Sequence, residues 1–97
     1  MKKIGLSGIK DLSKARSEVS FIDIRSKEEC KLNFIPGFKH IPFETLDIYL
    51  AKKQTRKKIV LLCEDGERSV YAAKMLSNIL SGTEFYIIEN GIQTLLK

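Results

Sequence analysis

The chain has no tryptophan, one histidine, two prolines and two cysteines among its 97 residues. Each shortage excludes something. The cysteines, Cys30 and Cys63, fit neither a CxxC redox pair nor a zinc knuckle, and with His40 alone to help them no metal site is expected. A single disulfide is only weakly suggested, because an intracellular protein keeps its thiols reduced. No apolar run approaches the roughly 20 residues that a membrane-spanning helix needs. At the start, MKKIGLSGIKDLSKARSE, Lys10 and Asp11 interrupt the apolar core of a signal peptide, which predicts a cytoplasmic protein. Repeats and low-complexity segments are absent.

What is present is ordinary globular composition. Apolar residues make up 43% and charged residues 30%, against disorder. The length suits one domain over 1–97, with no second core. The net charge is +5, and part of it sits in KKQTRKK, where Lys52, Lys53, Arg56, Lys57 and Lys58 crowd into seven residues. This run reads as a solvated loop, or as a docking patch for an acidic protein or an RNA. No aromatic side chains interleave the cations, so nucleic acid is not the expected partner.

Strand and helix patterns alternate. GIKDLSKAR (8–16) has helical spacing behind Ser7 as a cap. VSFIDI (19–24) is a β-branched, apolar strand. SKEECKLN (26–33) opens on a serine with Glu28 and Glu29 in the first turn, a helix start that suits the helix dipole. Ile35-Pro36 and Ile41-Pro42 impose an extended connection, since proline drives its predecessor out of the helical region. FETLDIYLAKK (43–53) reads as a helix. KIVLLC (58–63) is continuously apolar between charges, the mark of a central parallel strand covered on both faces. Ser69 to Leu80 reads as a helix, EFYIIEN (84–90) as a strand and GIQTLLK as a short last helix. Such alternation predicts an α/β sandwich around a mostly parallel sheet.

Ligands of open α/β sheets collect beyond the carboxyl ends of the strands. Cys63 sits at such a place, followed by Glu64, Asp65, Gly66, Glu67, Arg68 and Ser69. A helix N-terminus offers unpaired N–H groups and partial positive charge, and both favour a thiolate. Gly66 permits positive φ, so successive N–H groups can curl around a sulfur as a nest. Arg68 can bond loop carbonyls or add charge, and Ser69 can cap the helix. By position alone, a buried small hydrophobe at a strand end explains Cys63 as well as a reactive thiol does.

C-E-D-G-E-R-S resembles the active-site loop of the rhodanese-like sulfurtransferases, a cysteine followed by four residues and then Arg-Ser. FIDIR (21–25), SKEEC (26–30), NFIPGFKHIP (33–42) and ENGIQTLL (89–96) resemble further segments of that family in the same order. The resemblance implies a five-stranded, mostly parallel sheet with helices on both faces. It implies Cys63 as nucleophile, the 64–69 loop as its cradle, and no cofactor. Asp23 and Arg25 are recurrent family positions, expected as structural support, with Arg25 paired to Glu29. Asn33 and Phe34 replace the family's Gly-His, Asn90 its first closing glycine and Leu95 its tryptophan. Cys30 takes an aromatic slot and is expected to be structural, as is His40.

The chemistry so implied is transfer of sulfane sulfur through a Cys63 persulfide to a thiol or other nucleophile. Glu64, Asp65 and Glu67 against Arg68 leave a local charge of about −2. That charge disfavours thiosulfate, a dianion, and favours a protein persulfide or a small uncharged or cationic persulfide as donor. Two other readings remain. One is a docking or sulfur-carrier module in which Cys63 is incidental. The other is a cysteine phosphatase or arsenate reductase. It is opposed by four residues rather than five between cysteine and arginine, by Leu62 in place of histidine, and by the acids.

Overall fold

The computed structural model describes residues 1–46 and 57–96. Five parallel strands form one sheet: β1 (Lys2–Ile4), β2 (Val19–Asp23), β3 (Lys39–His40), β4 (Lys58–Leu62) and β5 (Glu84–Ile88), in the order β1-β5-β4-β2-β3. Among the described residues three α-helices accompany it: α1 (Leu6–Ser13), α2 (Lys27–Leu32) and α3 (Glu67–Ser77). Single 3-10 turns cover Arg16–Glu18, Phe43–Thr45 and Gly91–Thr94. Among the described residues no helix is long and apolar enough to cross a membrane.

The apolar run KIVLL becomes the central strand because both its faces are covered. Register aligns Phe21, Val60 and Tyr86 across β2, β4 and β5, and Ile22, Leu61 and Ile87 one step along. The period-two alternation of strands sends these two rows to opposite faces. Ile22, Ile59, Leu61 and Ile87 pack with Ala72, Ala73 and Leu76 of α3. Val19, Phe21, Val60, Tyr86 and Ile88 pack with Ile9 of α1 and with Ile92. Two alanines on α3 bring that helix backbone close to the sheet.

The alternating strands and helices of the sequence are therefore present, with shifted ends. The first helix starts behind Gly5 rather than Ser7. The short last helix is a 3-10 helix over Gly91–Thr94. The extended Pro-flanked connection contributes β3, which pairs with Ile22 and Asp23. β1 has no counterpart in the sequence reading: it is a three-residue edge strand with two exposed lysines. Short, lysine-bearing edge strands resist further pairing and carry no alternation to read. Beyond Leu46, the expected 43–53 helix lies outside the described residues, as does most of the 52–58 basic run.

Because every pairing is parallel, the carboxyl ends of β2, β4 and β5 share one rim of the sheet. Asp23 and Arg25 leave β2 there, Cys63 leaves β4, and Asn90-Gly91 leaves β5.

Candidate active site

Cys63 is completely buried. Its Sγ accepts the backbone N–H of Gly66 at 3.0 Å and of Ser69 at 3.4 Å. Gly66 is the N-cap of α3, with φ of +93°, and it offers no side chain to cap the helix. Ser69 is the third helical residue, whose N–H an N-cap oxygen ordinarily bonds. The Cys63 sulfur thus occupies the acceptor position of a missing N-cap side chain. The helix needs an electron-rich group there, and the sulfur is held in the dipole's positive field.

Ser69 does not cap α3, contrary to the sequence reading. The helix begins two residues earlier, because the positive φ at Gly66 turns the chain sooner and the sulfur satisfies the terminal N–H groups. The Ser69 side chain is instead buried within the first turn.

The backbone carbonyls of the loop are held from the 3-10 turn that follows β5. Ile92 N–H donates to the Cys63 carbonyl at 3.0 Å and to that of Glu64 at 3.3 Å. Gly91, at φ +58°, packs so closely that a Cβ there would lie 2.5 Å from both carbonyl oxygens. The sequence reading did not single out this contact. Its signal was Asn90-Gly91, a pair suited to the left-handed region, and Asn90 does adopt φ +61°.

The side chains of the loop divide into two charge arrangements. Arg68 does not bond the loop's carbonyls. Its Nη2 reaches the Glu29 carboxylate at 2.8 and 2.9 Å. Glu29 is pre-placed by a capping box: Ser26 N–H donates to its Oε1 at 2.8 Å, and Glu29 N–H donates to Ser26 Oγ at 3.1 Å. Burial works to raise the Glu29 carboxyl, but the Ser26 and Arg68 hydrogen bonds outweigh it and hold it below the usual range. The pair clamps α2 to α3 across the loop.

Arg25 therefore does not take the Glu29 carboxylate, as the sequence reading expected. It is fully buried and pairs with Asp23, Nε to Oδ1 at 3.0 Å and Nη2 to Oδ2 at 2.8 Å. Residues two apart on an extended chain share a face, which makes Asp23 the nearer partner. From Glu29 it takes only the carbonyl at 3.4 Å, and it bonds the Asn33 carbonyl at 2.7 Å, satisfying the end of α2. His40 Nε2 donates to the Arg25 carbonyl at 2.7 Å, a structural role as expected. Glu64 turns toward the same guanidinium, at 3.8 Å. Around the loop, Arg25 and Arg68 face Asp23, Glu29, Glu64, Asp65 and Glu67, a formal charge of −3.

Both cysteines are free thiols. Cys30 Sγ donates to Asp23 Oδ2 at 3.5 Å. Burial, followed by the Asp23 charge, pushes its pKa up to about 11. Cys30 is therefore expected to resist iodoacetamide at pH 7.5 in the folded protein, and to react once the protein is unfolded. Peptide mapping of the alkylated sites checks this. Rapid labelling of folded Cys30 would contradict it.

A cleft of about 470 Å³ opens beside the loop between α3 and β5, with Asp65, Glu67 and Glu89 on its walls and Lys3 opposite. Cys63 does not line it; the sulfur lies beneath the loop. Among the described residues no group of three or more His, Cys, Asp and Glu side chains could hold a metal ion.

A cysteine at the end of a central parallel strand, cradled by the first turn of the next helix, is the arrangement that the sequence resemblance implies. The rhodanese-like domain family matches residues 8–97. The chain belongs to that family. A putative sulfurtransferase of Bacillus subtilis, YtwF, is 27% identical over 92 residues, covering 95% of this chain and 87% of its own. The crystal structure of a rhodanese-like domain protein from Staphylococcus aureus superposes with a TM-score of 0.79 at 26% identity, over 97% of this chain and 90% of that one. The human single-domain sulfurtransferase TSTD1 shares the fold, with a TM-score of 0.74 at 21% identity, over 99% of this chain and 96% of that one.

Within the rhodanese-like framework the departures are local. Phe34, in the histidine position, is largely exposed. Leu95, in the tryptophan position, packs on the Ile88 and Ile92 side of the sheet. Neither change disturbs the strand ends that carry Cys63 and Arg25.

Proposed function

We propose that the protein is a sulfurtransferase that moves sulfane sulfur through a persulfide on Cys63. The observation that carries this reading is the sulfur at the end of β4 accepting two N–H groups from the start of α3. A Cys63 thiolate attacks the outer sulfur of a donor R–S–SH. The bond between Sγ and that sulfur forms as the donor S–S bond breaks, and R–S⁻ leaves with the electron pair. An acceptor thiolate then takes the outer sulfur and returns Cys63 as a thiolate. One difficult transfer becomes two easier ones, with no cofactor. The N–H groups stabilise the sulfur anion at both stages in the manner of an oxyanion hole.

The charge around the loop argues for the donor class. Each carboxylate about 4 Å from a dianion opposes it by roughly 1 kcal/mol per unit charge, even at the dielectric of water. A net −3 therefore disfavours thiosulfate. A protein persulfide, or a small uncharged or cationic one, fits better, with a thiol as acceptor. The 52–58 basic run would serve an acidic protein partner.

The test is a donor panel scored by mass spectrometry: thiosulfate, mercaptopyruvate, glutathione persulfide and a cysteine-desulfurase persulfide. Cys63 is expected to gain one sulfur from the persulfides and little from thiosulfate. Cys63→Ser is expected to reduce transfer to the uncatalysed rate. The combined Glu64→Gln, Asp65→Asn, Glu67→Gln variant is expected to use thiosulfate about tenfold better. A Cys63 that never acquires sulfur and reacts with no electrophile at neutral pH would instead indicate a docking module.

A further inference from the structure

The outer edge of β2 is only half covered. β4 pairs with β2 along its whole length from Val19 to Asp23, whereas β3 pairs only with Ile22 and Asp23. A groove of about 460 Å³ lies where β3 stops short. Val19, Ser20, Phe21 and Ile22 all line it, with Arg16, Gly37 and Lys39. Successive side chains of a strand point to opposite faces of the sheet, so only the strand's edge presents four consecutive residues to one groove.

The ladder fixes which backbone groups face the groove. Ile24 N–H donates to the Leu62 carbonyl, toward β4, while the Asp23 carbonyl accepts Ile41 N–H on the other side. Direction alternates along the strand, so Val19 and Phe21 turn their backbone groups outward with Asp23. The Val19 N–H is taken by the Arg16 carbonyl, and the pairing of Ile22 with Lys39 uses the Phe21 carbonyl. The Val19 carbonyl and the Phe21 N–H are left without a strand partner among the described residues. One residue of a parallel strand, opposite Ser20, would bond both. In the register of β3 that residue would be Gly37, but Gly37 has φ of +89° and its carbonyl is held by Arg16 Nη2 at 2.7 Å. The turn before β3 is therefore tied back, and the edge stays open.

We propose that this edge is a docking site for an extended acidic segment of a partner protein, which adds beside β2 as a further strand. Main-chain bonds supply the attraction in such strand addition, and the side chains beside the edge select the partner. Here the selecting charge is positive. Arg16 stacks over the Phe21 ring at 4.5 Å, and Phe38 meets that ring edge-on at 5.5 Å, so this wall is fixed before any partner arrives. The Arg16 partner is a carbonyl, which leaves its positive charge unneutralised there. Lys39 lines the groove too, and Lys58 stands opposite Val19 on β4. None of the described lining side chains is a carboxylate; the nearest acid in sequence is the exposed Glu18. Cations on a sheet edge oppose pairing with a second copy of a chain that is itself +5, and they favour an acidic strand. The proposal does not depend on the chemistry of Cys63.

The test uses the full chain and a blocked octapeptide of alternating glutamate and valine, at low salt. Binding is read from amide NMR spectra and from hydrogen exchange. The peptide is expected to bind and to slow exchange of the Phe21 amide about tenfold or more, while the Val60 amide, already inside the sheet, keeps its rate. The double variant Arg16→Gln, Lys39→Gln is expected to bind about tenfold more weakly, with its fold checked by circular dichroism. The same peptide N-methylated throughout keeps its charge and loses its donors, and it is expected not to bind; this arm needs no variant to fold. Absence of binding by the unmethylated peptide would overturn the proposal. Equal binding by the methylated peptide, by a lysine-valine peptide or by an oligouridylate would also overturn it, since charge attraction or a different partner class would then explain the edge. Spectral changes confined to residues 64–69, or protection of the Phe21 amide by self-association without peptide, would do the same.

Discussion

Arg25→Met is expected to cost about 3–5 kcal/mol of folding stability, seen as a large drop in the urea midpoint at pH 7. The guanidinium is fully buried and holds three things together: the Asp23 carboxylate, the carbonyls of Glu29 and Asn33 at the end of α2, and the approach of Glu64. Methionine fills much of the volume and supplies none of the donors. It leaves Asp23 buried beside no cation. A buried pair gains little over an apolar replacement of both members, whereas loss of one member strands a charge. The Asp23→Asn, Arg25→Met double variant is therefore expected to lose less than the two single variants added together.

The pH dependence has a definite sign. Burial works to raise the Asp23 carboxyl, but the hydrogen bonds and charge of Arg25 overcome it and hold the group below its ordinary value. A carboxyl depressed in the folded state binds its proton more weakly there than in the unfolded chain. Its stabilisation is fully present above the unfolded value of about 3.9 and is lost as pH falls through the lower folded value. Glu29 acts in the same direction in the same acid window. In Arg25→Met, Asp23 keeps its burial and loses its cation. That variant is expected to be least impaired relative to the native protein at low pH. A constant difference between the two from pH 7 to pH 3 would contradict this account.

Gly91→Ala is expected to destabilise the protein by about 2–5 kcal/mol and to impair Cys63 reactivity as well. The left-handed conformation alone costs an L-residue roughly 1–2 kcal/mol. The new methyl carbon would stand 2.5 Å from the carbonyl oxygens of Cys63 and Glu64, far inside contact. Relief of such overpacking costs about 1–3 kcal/mol more. The atoms that must yield are backbone, and they belong to the loop that shapes the sulfur's cradle. Gly66→Ala is the control: its φ is also positive, but its methyl would make ordinary contacts only, with the Ile88 carbonyl at 3.4 Å and the Gly91 and Asn90 nitrogens at 3.6 and 3.7 Å. Its stability loss is expected to be smaller. Equal unfolding temperatures for Gly91→Ala and the native protein would refute the close-approach argument.

The sequence by itself determined the sheet and the place of the sulfur. The continuously apolar 59–62 run could only be a strand covered on both faces, and Cys63 follows it at the rim where ligands of parallel sheets gather. The resemblance of the 63–69 loop, and of the segments at 21–25, 26–30, 33–42 and 89–96 in the same order, pointed to the family, because these are short-range patterns written in consecutive residues. Tertiary structure alone decided how the charges pair. Arg25, Arg68, Asp23 and Glu29 could be joined in more than one way, and the outcome depended on which carboxylate a capping box had already oriented. It also decided that β1 joins the sheet and that Gly91 supports the loop from the turn after β5, contacts between segments far apart in the chain. Ser69 is the clearest case. Its position suggested a helix cap, but the positive φ at Gly66 and the acceptor sulfur of Cys63 moved the helix start and buried the hydroxyl without a partner among the described residues. Local propensity names the residues that can bond; only the packed arrangement decides which partners come within reach.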